Sequence, residues 1–152
     1  MRIRPSVSFR TEKGTSLVEA ALITPLLLLT FAIVDFASLF YVYLALENGV
    51  SQASRYGVTG NLVAGQSRQE SIKTAMRQAT PTLTIGDGSF SFSHLQPGQG
   101  TWDAGVGGPN DIDKVTVNYN WTLLTPLVRP FFANGQITLV VESAMKNEAT
   151  FN

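Results

Sequence analysis

Apolar residues follow three different periods along the chain. From Ala20 to Leu46 they are nearly continuous, 27 residues with one charge, Asp35. Over residues 66–79 they recur at helical spacing, with Ile72, Ala75, Met76 and Ala79 on one face and Arg68, Glu70, Lys73 and Arg77 elsewhere; Thr80-Pro81 stops that pattern. After Pro81 the period falls to two. Phe90 and Phe92 alternate with serines behind the turn Gly86-Asp87-Gly88, and Val115, Val117, Tyr119 and Trp121 alternate with Thr116, Asn118, Asn120 and Thr122. Ile137, Leu139 and Val141 alternate less cleanly, because Val140 interrupts their polar side. Such a pattern predicts an α+β protein: a long N-terminal membrane-spanning helix that continues into a small head, where one further helix packs on a mainly antiparallel sheet of about three strands.

The expected boundaries are a basic leader over 1–14, a transmembrane helix over 15–46 and an extracytoplasmic head over 47–152. Within the head the helix continues over 47–58, a second helix covers about 66–79, and strands cover about 88–94, 112–122 and 136–145. Thr59, Gly60, Asn61 and Gly65 supply the turn that ends the first helix. As a helix, Ala20 to Leu46 is about 40 Å long at ~1.5 Å per residue, more than a ~30 Å hydrocarbon core requires. The stretch without any charge, Ala20 to Val34, is only 15 residues. Asp35 is therefore a candidate intramembrane polar contact facing a protein neighbour, or else lies at the outer interface with the helix tilted. Pro25 removes one helical hydrogen bond, and Thr24 beside it can satisfy a freed backbone group.

Ala37, Tyr41, Ala45, Gly49, Ala53 and Gly57 recur every fourth residue. The last four, Ala45, Gly49, Ala53 and Gly57, form a small-residue stripe along which another backbone can come close. The favoured partner is the protein's own sheet; a neighbouring helix in an assembly is the alternative. Two loops stand out. Residues 97–109 are glycine-rich and carry Trp102 and Asp103, whereas 123–132 hold eight apolar or proline residues and one charge, Arg129. That second loop either folds under the sheet or forms an exposed patch that meets a partner or a membrane.

Charge changes the picture at the N-terminus. Arg2, Arg4, Arg10 and Lys13 against Glu12 make residues 1–14 net +3, and because the whole chain is neutral the remainder is net −3. Basic residues before the span, with Arg55 the first one after it, place the N-terminus in the cytoplasm. A cleaved secretory signal fits poorly: the apolar run is too long, and Glu19 stands at its start. A mildly acidic body argues against nucleic acid as a partner. With no cysteine, disulfides, thiolate metal sites and cysteine nucleophiles are excluded. One histidine, His94, cannot build a triad or a zinc site alone, and Asp103, Asp111 and Asp113 match no EF-hand spacing. The expectation is no enzyme, no cofactor, no metal and no small-molecule substrate.

Two sets of residues carry a family resemblance. Lys13-Gly14, four residues, Glu19 and then a long apolar helix resemble the class III signal of type IV prepilins. That resemblance implies a membrane aspartyl peptidase cutting between Gly14 and Thr15. It also implies that Glu19 attracts the N-terminal amine of a neighbouring subunit during assembly. Ala20 departs from the pattern, standing where Flp-type signals usually carry an aromatic. Asp35-Phe36, the run Tyr43 to Asn48, and Ala53 to Gly60 look like the TadE-like family, as do Val115 to Tyr119, Leu124 to Leu127 and Ala144 to Glu148. Membership implies a minor pilin or pseudopilin of the Tad (Flp) pilus machinery, in the bacterial inner membrane with its head in the periplasm. The partners implied are membrane lipid, a prepilin peptidase, other pilins or pseudopilins and Tad platform proteins. The alternative is an uncleaved, membrane-tethered binding or scaffold protein.

Overall fold

Helix α1 spans Glu12–Val58, 47 residues without a break in a computed structural model that describes residues 12–151. The basic residues Arg2, Arg4 and Arg10 of the expected leader lie outside the described residues. Leucine and alanine dominate the first half, and both lose little side-chain freedom in a helix. The helix passes through Pro25. Thr24 Oγ1 donates to the Ala20 carbonyl at 2.8 Å, not to the Ala21 carbonyl that Pro25 leaves without its i+4 donor. Gly60, at φ 69°, turns the chain after the helix, and its amide donates to the Gly57 carbonyl at 3.1 Å.

Helix α2 covers Arg68–Ala79. Ser67 caps its start by accepting from the Glu70 amide at 3.3 Å, and Thr80 closes its end with amide and hydroxyl both donating to the Met76 carbonyl. Ile72 and Met76 are buried, as the helical spacing requires, and Ala75 and Ala79 are half-buried beside them.

Strands β1 (Phe90–Leu95), β2 (Asp103–Ala104), β3 (Ile112–Thr122) and β4 (Gln136–Lys146) form one antiparallel sheet in the order β2-β1-β3-β4. The sheet has four strands where about three were expected. The extra one is two residues long, sits in the glycine-rich loop and pairs His94 with Asp103; a two-residue bridge leaves no periodic trace in a sequence. In the centre Phe90 faces Val117 and Val117 faces Val141 across the strands. Both helices lie on the face carrying Val115, Val117, Trp121 and Val141, whereas Val140 is exposed on the other. Val42, Leu46, Val50 and Ala53 of α1 join them in a single core. Burying each large side chain contributes about 1.5–3 kcal/mol.

Candidate functional site

From Gly14 to Val34 no side chain of α1 is buried, and this stretch is long and apolar enough to cross a membrane. Gly14, Thr15 and Glu19 are exposed on its first turns, with open space around Gly14. Thr15 and Glu19 are four residues apart, one helical turn, and share a face.

Packing against the head starts at Asp35, not after Leu46. Asp35 is only 4% exposed although it sits in the apolar run. The loop after β3 encloses it: the Leu124 amide donates to Asp35 Oδ1 at 2.7 Å, the Thr125 amide at 3.2 Å, and the Thr125 hydroxyl donates to Oδ2. Three donors from the protein's own loop satisfy a carboxylate that would otherwise be costly to bury. Residues 35–46, read from sequence as part of the span, also bring Val42 and Leu46 into the core.

The loop itself divides between the two expected placements. Leu123 is buried and Val128 packs on the core, whereas Leu124, Leu127, Phe131 and Phe132 are exposed. Arg129 Nε donates to the Leu123 carbonyl at 2.8 Å, closing the loop on itself.

Two members of the small-residue stripe, Gly49 and Gly57, pack on α2 and its C-terminal cap, where the sheet was the expected partner. A Cβ on Gly49 would lie 2.5 Å from Thr80 Cγ2, and one on Gly57 would lie 2.9 Å from Ile72 Cδ1. Ala53 is fully buried between them and Ala45 is half-buried. The larger Leu46 and Val50 fill the space toward the rest of the core. Two helices can approach closely only where one offers small residues, and α2 is the element short enough to lie along them.

At the far end of α1 a polar lock joins four segments. Arg68 Nη2 donates to the Gly57 carbonyl at 2.9 Å and to Asp113 Oδ2 at 3.0 Å, and Nη1 donates to the Gly107 carbonyl. The Phe151 ring lies 4.2 Å from the guanidinium carbon, and the Glu148 amide donates to the Val58 carbonyl at 3.0 Å. Burial pushes the guanidinium below its ordinary pKa, while Asp113 and Asp111 pull it back up. Asp113 Oδ1 and Asp111 Oδ2 accept from the Gly107 and Gly108 amides, both at 2.7 Å. These acids hold a loop in place, and no group of three or more His, Cys, Asp or Glu that could hold a metal occurs among the described residues. His94 Nδ1 lies 3.3 Å from the Gly105 carbonyl at the β1–β2 bridge. Sequence reasoning missed the partners of Asp35 and the role of Arg68. The one available signal was Asp113, which shares the inward phase of Val115 and Val117.

The distinctive arrangement is thus one helix, bare over its first half and clamped over its second. Residues 14–55 match the model of the TadE-like protein family. This stretch of the chain is TadE-like. No curated protein and no solved structure matches the chain. The TadE-like segment covers the bare half of α1, Asp35 but not its donors, and three of the four stripe residues, ending two residues before Gly57. The motifs around Val115, Leu124 and Ala144 lie outside the matched residues.

Proposed function

We propose that this protein is a membrane-anchored structural minor pilin or pseudopilin that supports assembly of a Tad/Flp-type pilus. The observation that carries the reading is the coincidence of the TadE-like match with a helix exposed and apolar over 14–34 and clamped to an α+β head from Asp35 onward. The bare half anchors the subunit in the inner membrane, N-terminus in the cytoplasm, and the head faces the periplasm. A prepilin peptidase removes the leader between Gly14 and Thr15. Glu19, one turn above the new amine, then guides entry among other pilins by pairing with a neighbour's N-terminal ammonium, a favourable arrangement for a carboxylate in apolar surroundings. Platform proteins of the Tad machinery receive the anchored subunit, and the head makes the specific contacts.

Intact mass of the chain, expressed with and without a prepilin peptidase, tests the processing step. Loss of the first 14 residues is expected with the peptidase; an unchanged mass overturns that step. Glu19→Ala is expected to be cut normally but to enter assemblies poorly, and normal incorporation removes the pairing role.

Ala20, in place of an aromatic after Glu19, favours a second reading in which the chain stays uncleaved and tethers a binding or scaffold head. A soluble form made to test it begins at Asp35, because starting at Glu47 deletes Val42 and Leu46 from the core.

A further inference from the structure

Loop 123–132 leaves Leu124, Leu127, Phe131 and Phe132 between 42% and 75% exposed in a head whose core is otherwise well covered. A cluster of this kind marks a contact surface. Its height is fixed by the Asp35 clamp, since the Leu124 and Thr125 amides both end on that carboxylate. Gly14 to Val34 is 21 residues, about 31 Å of helix at ~1.5 Å per residue and close to the ~30 Å hydrocarbon thickness of a bilayer. The loop therefore stands beside α1 just where a span filled by 14–34 leaves the bilayer.

Three further observations fit lipid as the occupant. The exposed apolar surface of α1 continues past the loop's height, with the tilted rings of Phe36 and Phe40 5.2 Å apart and both exposed. Tyr41 and Tyr43, exposed about one to two turns higher, are amphipathic rings suited to the headgroup level. Arg129 is the loop's one charge and is exposed, and its sign matches lipid phosphate.

We propose that loop 123–132 seats the base of the head in the lipid interface, with its four exposed apolar side chains at the headgroup–acyl boundary and Arg129 at the phosphates. The clamp then does more than satisfy the Asp35 carboxylate. It holds the loop at the depth where the span ends, so the head rests on the membrane surface instead of swinging above it. The inference depends on α1 spanning the membrane.

Because the chain has no cysteine, single substitutions place one probe at a chosen depth. Leu26→Cys reports the span, Leu127→Cys and Phe131→Cys the loop, and Gln52→Cys a site on α1 about 25 Å above Asp35 at ~1.5 Å per residue. Each full-length variant carries an environment-sensitive fluorophore in phosphatidylcholine–phosphatidylglycerol vesicles doped with lipids spin-labelled near the headgroup or deep in the acyl chain. The expected result is loss of most fluorescence at 127 and 131 to the shallow quencher, loss at 26 to the deep one, and none at 52. Quenching at 26 with none at 127 or 131 overturns the seating of the loop and leaves the anchor intact. No quenching at 26 overturns the anchor itself. Emission at 127 and 131 that shifts with protein-to-lipid ratio, without lipid quenching, overturns the proposal in favour of contact with a second copy.

Discussion

Below Asp35, α1 presents Leu17, Leu22, Leu26 and Ile33 with more than half of each surface open; above it, Val42, Leu46, Val50 and Ala53 are buried. Both halves are helical, and both contain large apolar residues. They differ in what accompanies those residues. In the upper half Glu47, Asn48 and Gln52 occupy the outward face, while Gly49, Ala53 and Gly57 let α2 approach. In the lower half Ser16, Ala20 and Thr24 do fall on one face, but no side chain from Gly14 to Val34 is buried against any other described residue. A helix this apolar needs an apolar surrounding, and none of the described residues supplies one. Apolar content alone therefore does not divide α1 into its bare and clamped parts. The boundary is set by Asp35, the first residue of α1 whose side chain is taken up by the head.

The sharpest way to break the comparison is to make the same truncation in both halves. Leu46→Ala is expected to destabilise the head by about 2–5 kcal/mol, because it empties a fully enclosed position. Leu26→Ala is expected to change head stability by no more than about 0.5 kcal/mol. Denaturant unfolding of the full chain in detergent, followed by the fluorescence of buried Trp121, measures both. Similar losses at 26 and 46 would mean that the bare half is covered in the folded protein.

Asp35→Ala comes next in size. It leaves the Leu124 and Thr125 amides without their acceptor, an expected cost of about 2–3 kcal/mol. The same unfolding experiment reads it, and amide exchange at 124 and 125 should rise even where the global change is modest. Unchanged exchange there would show that the clamp does not hold the loop.

Much of this division was legible in the residues, and what was not has a physical cause. Period two over eight residues placed β3, and the three-to-four spacing of Ile72, Ala75, Met76 and Ala79 placed the inner face of α2. Asp35 was conspicuous as the one charge in an apolar run, but its donors lie 89 and 90 residues away, and local pattern carries no information on such pairings. The loop could not be assigned to one environment from composition because it occupies two, with Leu123 inside and Phe131 outside. Gly49 and Gly57 of the stripe lie close to Thr80 and Ile72, where the expected neighbour is the sheet. Small residues state that something comes near, and only the fold states what. The Arg68 lock was half visible: Asp113 falls on the buried phase of β3, and a buried carboxylate demands a partner.

The smallest expected effects sharpen the comparison inside the upper half, by asking how tightly α2 is seated on the stripe. Alanine in place of glycine favours a helix by up to about 1 kcal/mol, so any loss must come from contact. At Gly49 the new methyl meets Thr80 Cγ2 at 2.5 Å. Thr80 is buried, branched at Cβ and tied through its hydroxyl to the Met76 carbonyl, so it cannot swing away without opening the end of α2. At Gly57 the methyl meets Ile72 Cδ1 at 2.9 Å, the far end of a longer side chain that can rotate. Gly49→Ala is therefore expected to lower stability by about 1 kcal/mol net of propensity, and Gly57→Ala to leave it unchanged or raise it slightly. Unfolding midpoints of the two variants in the same detergent decide between them. If both variants gained stability equally, α2 would be loosely seated, and the small residues would be free to serve a neighbouring helix in the assembly.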